Sequence, residues 1–244
     1  MSHRLSTLVK MRRERGTLAT VAFIASRIRH AARTGKLSPP NTIPANLALW
    51  SRYDWSAKGE EWSNSPEFKL GIIRKILIPN VPSGSRILEI GPGAGRWTEV
   101  LLKRAEHLTL VDLTPECIRI CRERFAKAEN ISYFVNDGKD LSFVPPASID
   151  RIWSLDVFVH IQSSDVDDYV RQFVTILAPG GRAIIHHSAR GVSTRLWRSD
   201  MTVACMSGFC AKYGLKVIEQ RSEWGDFKIN DDNRDVVSIF ERPA

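Results

Sequence analysis

Cysteine is scarce in this chain, and acidic residues are nearly missing from one end of it. Only four cysteines occur in 244 residues, Cys117, Cys121, Cys205 and Cys210, and none form a C-x-x-C pair. That excludes a disulfide framework and offers no zinc-ribbon spacing, so reduced thiols are expected. No run approaches the roughly 20 apolar residues that a membrane-spanning helix needs. Nor does any stretch have the long apolar middle and small-residue cleavage site of a signal peptide. The expected location is the cytoplasm. A chain of this length suits one α/β domain with additions, and 43% hydrophobic with 25% charged residues is the composition of an ordinary globule.

Residues 1–36 contain nine Lys/Arg and a single acid, Glu14. That excess equals the whole net charge of +8, because the other 26 basic and 26 acidic residues cancel. The basicity therefore belongs to an arm. Leu18, Val21, Ala25 and Ile28 repeat at helical spacing within it. Such a helix could pack on the body or a second subunit, lie on an anionic membrane at the inner face, or serve as a nucleic-acid arm or transit segment. The neutral body offers no broad phosphate-binding face, so nucleic acid is not an expected partner. "LSPPNTIP" (37–44) then reads as a linker, because proline breaks helices. The expected divisions are an arm and linker at 1–40, an aromatic-rich cap at 41–82 and a main domain at 83–244.

In the cap, Trp50, Tyr53, Trp55 and Trp62 lie within thirteen positions. They read either as packing onto the body or as a lid, with Tyr53, Trp55 and Trp62 contacting a substrate. A helix is expected from Pro66 to Leu77. Beyond it, strands at 86–90, 108–112, 131–135, 149–154 and 182–187 alternate with helices at 96–105, 115–127 and 165–177. A helix near 200–213 and strands at 215–221 and 235–241 follow. This alternation predicts an α/β fold with a doubly wound, mostly parallel sheet. Such sheets bind ligands beyond the carboxyl ends of their strands.

The residues at those ends are informative. "RILEIGPGAGRW" (86–97) puts Gly91, Gly93 and Gly95 after the first strand, with Glu89 inside it and Trp97 beyond. Glycine lets a ligand approach the main chain. The G-x-G-x-G spacing matches neither the dinucleotide fingerprint nor the Walker pattern. Asp112, next to Leu113, ends the second strand, where an acid can hold a ribose; "DLTPEC" reads equally as a helix start. Asp137 and Gly138 follow the third strand in "VNDG", either an adenine contact or a plain turn. The fourth strand runs into "SLDVFVHI", with Leu155, Asp156 and His160. The fifth ends in His186 and His187, which alternation sends to opposite faces.

Taken in order, "ILEIGPGAG", "LVD", "VNDG", "IDRIWSLDVFVHI" and "LAPGGRAIIHHS" resemble the class I S-adenosylmethionine-dependent methyltransferases over about 83–244. The resemblance implies a Rossmann-like seven-stranded sheet whose last strand is antiparallel, and S-adenosylmethionine as cofactor. It also implies that Glu89, Gly91, Gly93 and Gly95 embrace the amino-acid end of the cofactor, that Asp112 holds its ribose and Asp137 its adenine, and that Leu155 or Asp156 lies near the methyl donor. Leu113, Gly138 and Trp97 complete the expected cofactor set.

A hydroxyl acceptor needs a general base, and histidine suits that task. His160, His187 and Asp156 are the expected catalytic residues, with His186 a substrate contact. No metal is expected; a divalent ion on Asp156 and nearby histidines is the alternative. No N/D-P-P-Y/F motif and no Pro-Cys nucleophile occurs, which disfavours DNA methylation. "YDWSAKGEEWS", "GRWTEVL", "DVFVHI" and "IIHHS" are similar to bacterial glycan and sugar O-methyltransferases, including the nodulation-factor type that 2-O-methylates fucose. The implied acceptor is a glycan or lipid-linked sugar. Ala189, where that group would carry asparagine, is a departure. A small-molecule O- or N-methyltransferase and a non-catalytic cofactor-binding protein are the alternatives.

Overall fold

The computed structural model describes residues 41–63, 65–191, 198–230 and 232–244. The basic arm and the first half of the proline-rich linker, 37–40, lie outside the described residues. The described part opens with α1 (Ile43–Trp50), which carries Pro44 in its first turn, where a missing N–H costs nothing. A loop with a short 3₁₀ turn at Glu60–Trp62 leads to α2 (Pro66–Ile72). Ser65 caps α2, its Oγ accepting from the Phe68 amide at 3.1 Å. The helix continues through a π turn at Ile73–Leu77 and ends at Ile78–Asn80.

The main domain is a seven-stranded sheet. Its strands are β1 (Ser85–Ile90), β2 (Ala105–Asp112), β3 (Ile131–Val135), β4 (Ile149–Ser154), β5 (Leu177–Ser188), β6 (Lys216–Arg221) and β9 (Asp235–Glu241). The spatial order is β3-β2-β1-β4-β5-β9-β6. All pairs are parallel except those of β9, which runs antiparallel to both β5 and β6. Four helices connect the strands: α3 (Thr98–Leu102), α4 (Pro115–Arg124), α5 (Ser163–Ile176) and α6 (Val203–Lys212). A hairpin of β7 (Glu223–Trp224) and β8 (Phe227–Lys228) sets the Phe227 ring 5.5 Å from Phe68 of α2. It sits directly over Gly71, where a side chain would collide with that ring.

Central strands buried on both faces read as nearly continuous apolar runs. Alternation splits their side chains between two cores. Leu88, Ile152, Ala183 and Ile185 pack with Phe173 and Phe240 on one side, while Ile87, Trp153 and Ile184 pack with Ile72, Ile76 and Leu101 on the other. The same parity divides the adjacent histidines. His186 continues the face of Ile184 and Trp153, and His187 continues the face of Ile185. β9 runs against its neighbours, so its first residue, Asp235, lies opposite Ser188 at the end of β5. Among the described residues, no helix is long and apolar enough to cross a membrane.

Candidate functional site

A cavity of about 550 Å³ opens at the carboxyl ends of β1, β2, β4 and β5. Its size is that of a site for a small ligand. One wall is the loop after β1. Gly91 and Gly93 line it, with φ of +72° and +57°, conformations that cost any other residue strain. Close approach also forbids side chains there. A Cβ on Gly91 would stand 2.5 Å from Val157, and one on Gly93 would stand 2.9 Å from the Trp55 ring. Gly95, φ +87°, does not line the cavity and faces Phe125 instead.

Asp112 is buried at the end of β2 and faces the cavity with Leu113. Its Oδ1 accepts from the Thr114 amide at 2.8 Å and its Oδ2 from the Gly93 amide at 3.3 Å. Burial raises its pKa, against those two amide bonds. Gly138, Asn136 and Leu155 complete this end. Asp137 is exposed and outside the cavity lining, and its Oδ1 accepts from the amides of Lys139 and Asp140 at 3.0 and 2.8 Å. Glu89 is buried behind the loop and accepts from Thr98 Oγ1 at 2.7 Å. Burial pushes its pKa up to about 8, outweighing the Thr98 hydrogen bond and the charge of Arg96.

The other end is aromatic and charged. Trp50, Trp55, Trp62 and Trp97 line it. Trp50 is the hub of the cap, with its ring 5.5 Å from Tyr53, 6.0 Å from Trp55 and 5.4 Å from His160. Tyr53 itself stands outside the lining and donates from its hydroxyl to Glu61 at 2.8 Å. Asn46 of α1 anchors the cap by donating to the His160 carbonyl at 2.8 Å.

Basic and acidic groups alternate in a row of five across this end. Arg96 is buried and donates to Asp156 Oδ2 at 2.5 Å. Asp156 Oδ1 lies 3.2 Å from His186 Nδ1, which accepts from the Asp156 backbone N–H at 3.1 Å. His186 Nε2 lies 3.8 Å from Asp235 Oδ2, and Asp235 Oδ2 accepts from Arg198 at 2.8 Å. Burial would raise the Asp156 pKa, but the charge of Arg96 and the hydrogen bond and charge of His186 hold it well below the carboxylate range. Asp235 is raised by burial, against His186 and Arg198.

Of the residues expected from sequence, the cavity gathers Gly91, Gly93, Asp112, Leu113, Gly138, Leu155, Asp156, Trp97, Trp55, Trp62, His160 and His186. It leaves out Glu89, Gly95, Asp137, Tyr53 and His187. His187 is fully buried on the opposite sheet face, with Nε2 2.6 Å from Ser238 Oγ and Nδ1 2.8 Å from the Ser188 carbonyl. Burial drives its pKa down to about 4. Arg96, Asn136, Asn230, Arg234, Asp235 and Arg198 line the cavity without having been expected there. The one available signal was topological. An antiparallel last strand must begin where its parallel neighbours end, which marks Asp235.

Residues 87–181, less than half of the chain, match the family described as a methyltransferase domain. The chain is 31% identical over 104 residues to a ubiquinone biosynthesis O-methyltransferase of Xylella fastidiosa, covering 42% of each chain. It is 30% identical over 105 residues to a demethylmenaquinone methyltransferase of Tropheryma whipplei, covering 43% of this chain and 42% of that one. The matches thus span well under half the length of those relatives. The N-methyltransferase NodS of Bradyrhizobium japonicum, solved with S-adenosyl-L-homocysteine, shares the fold at a TM-score of 0.65 and 22% identity, covering 83% of this chain and 99% of that one.

The fold is the α/β Rossmann-like methyltransferase fold, and residues 87–181 are similar to a methyltransferase domain. The residues present fit S-adenosylmethionine, the cofactor that this similarity implies. Asp112 presents a buried carboxylate held by backbone amides, and Gly91 and Gly93 line the cavity beside it.

Proposed function

We propose that this chain is an S-adenosylmethionine-dependent O-methyltransferase acting on a sugar hydroxyl of a bacterial glycan or lipochitooligosaccharide, with fucose 2-O-methylation as the specific case. The observation that carries this reading is the composition of the cavity lining, in which Trp50, Trp55, Trp62 and Trp97 stand beside Asn136, Asp156, Asn230 and Arg198. Donors and acceptors interspersed beside tryptophan faces suit a polyhydroxylated ring, whose hydroxyls do both and whose C–H faces stack on indoles.

When bound, the cofactor's sulfonium supplies the methyl group. The chain's own residues then do the rest. Asp112 holds the ribose and the glycine loop the amino-acid end, the tryptophans exclude water and orient the acceptor, and a histidine lining the cavity receives the acceptor's proton. Orientation is the larger contribution to rate.

The curated relatives act on quinone precursors by name, and that favours a second reading, a small phenolic acceptor. The deciding experiment incubates the full chain with radiolabelled S-adenosylmethionine and two panels, methyl glycosides with chitooligosaccharides, and catechols with hydroquinones. Label on the sugars is the expected result. Label confined to the phenols overturns the glycan reading.

A further inference from the structure

We infer that Asp165, at the start of α5, and not Asp137, is the acid that recognises the adenine amine of S-adenosylmethionine. The inference rests on that cofactor, which the fold and the matched region imply, and is independent of the acceptor.

Strand order sets the course of a nucleoside across the sheet. The glycine loop closes β1, Asp112 closes its neighbour β2, and β3 is the next strand out. A nucleoside whose ribose meets Asp112 therefore carries its base on toward the residues after β3. Asn136 and Gly138 line the cavity there. Helix α5 reaches the same place. Tyr169 lines the cavity, and its hydroxyl accepts from Asn136 Nδ2 at 3.2 Å. Asp165 precedes Tyr169 by one turn on the same helix face, and it lines the cavity as well. Ile43, Leu113 and Ile161 add aliphatic surface to this lining, which suits the faces of a flat base. Ile43 closes in tightly, since a Cβ on Gly138 would stand 3.0 Å from it.

The feature that distinguishes adenine is its exocyclic amine, a donor that needs an acceptor. Most side-chain acceptors near the end of β3 are already engaged. Asn136 Oδ1 accepts from the Gly138 amide at 3.1 Å, and its Nδ2 donates to the Asp140 carbonyl and to Tyr169. Asp112 is held by the amides of Thr114 and Gly93. Asp137 is exposed and bonds the turn amides of Lys139 and Asp140. Asp165 differs from all of these. It is half-buried, and among the described residues its carboxylate takes no hydrogen bond and no ion pair. Lys139 donates to Asp168 instead, at 3.0 Å. Burial raises the Asp165 pKa, against the charge of Lys139 and together with those of Asp168, Asp200 and Asp137. An amine N–H supplied by a ligand gives this carboxylate a charge-assisted bond, about twice as strong as a neutral one.

An acid in the first turn of a helix also complements the helix dipole, so recognition has to be separated from that structural effect. Calorimetric titration of the full chain with two compounds does so. One is S-adenosyl-L-homocysteine, and the other is S-inosyl-L-homocysteine, whose base carries a carbonyl oxygen in place of the amine. The wild type should bind the adenosyl compound about 10- to 100-fold more tightly, because the carboxylate meets an oxygen in the other. Asp165→Asn should bring the two affinities to within about threefold, since a side-chain amide accepts from an amine and donates to a carbonyl alike. Asp165→Ala should narrow the ratio too, and Asp137→Asn should leave it at the wild-type value. A purely helical role would lower the melting temperature and both affinities together and keep the ratio intact. A wild-type ratio near one, an undiminished ratio in Asp165→Asn and Asp165→Ala, or a lost ratio in Asp137→Asn overturns the inference. Binding of neither compound by the wild type overturns the cofactor assignment instead, which tells the two failures apart.

Discussion

Arg96 and Asp156 meet across the cavity mouth, joining the loop after β1 to the loop after β4 through a 2.5 Å ion pair. Arg96 is the more enclosed partner, with 7% of its side chain exposed against 32% for Asp156. Its guanidinium also lies 4.8 Å over the Trp97 ring and donates to Ser63 Oγ at 3.3 Å, so one side chain ties the aromatic cap to the cavity edge of the sheet. Arg96→Met keeps the stem and removes the charge. Breaking a buried pair costs several kcal/mol, and the partial solvent access of Asp156 reduces this to about 1–3 kcal/mol. Urea denaturation at pH 7 measures it. Asp156 is depressed in the fold, so its stabilising contribution is present above the unfolded carboxylate pKa of about 4 and is lost as pH falls below it. In Arg96→Met this acid-side loss should shrink.

Asp112 should govern cofactor affinity with little effect on the fold. Asp112→Asn retains an oxygen for one backbone amide but turns an N–H toward the other, and it removes the charge that a ribose would bond to. A hydrogen bond to a charged group contributes about 1.5–3 kcal/mol, roughly a 10- to 150-fold loss in binding. Calorimetric titration with S-adenosyl-L-homocysteine checks it. Unchanged affinity would show that Asp112 serves only to hold the turn that leads into α4.

The sheet was legible because its strands are apolar runs bounded by turn residues, and β3, β4 and β9 fall where alternation put them. The glycine loop and Asp112 were legible because each follows directly from a strand end. What stayed hidden is what sequence distance conceals. Arg96 looks like an ordinary first-turn residue until Asp156, 60 positions on, meets it. Asp235 and Arg198 join the site only through the antiparallel return of β9. His186 and His187 are adjacent, and alternation separates them without saying which face carries the cavity. The helix of α1 was also missed, because Pro44 reads as a breaker unless it falls in a first turn. The hairpin of β7 and β8 is too short for its periodicity to show.

Gly91 and Gly84 separate backbone strain from close approach. Both have left-handed φ, +72° and +78°, but a Cβ at Gly84 meets nothing within 4 Å while one at Gly91 meets Val157 at 2.5 Å. Gly84→Ala should therefore cost only the left-handed penalty, about 1–2 kcal/mol. Gly91→Ala should cost more, because Val157 must move, and it should weaken cofactor binding as well. Denaturant midpoints and calorimetry on both variants provide the comparison. Equal costs would mean that Val157 yields freely.

Glu89 makes the fold sensitive to alkali in a way opposite to that of Asp156. Its carboxyl is sealed in β1 between β2 and β4, opposite Leu110 and Trp153. Burial raises its pKa to about 8, so the folded chain keeps a proton there that the unfolded chain releases near 4.5. Between those values the native state binds more protons than the unfolded state, so stability falls as pH rises through the window and levels off above about 8. Glu89→Gln cannot ionise, and its amide oxygen can still accept from Thr98 Oγ1. The variant should match the wild type near pH 5 and exceed it near pH 8, by an amount on the order of a few kcal/mol. Urea midpoints for both proteins across pH 5–8 isolate this group, because every other titration cancels in the difference. Parallel curves would mean that Glu89 is ionised in the folded chain, with the charges of Arg96 and Arg124 and the Thr98 hydrogen bond outweighing its burial.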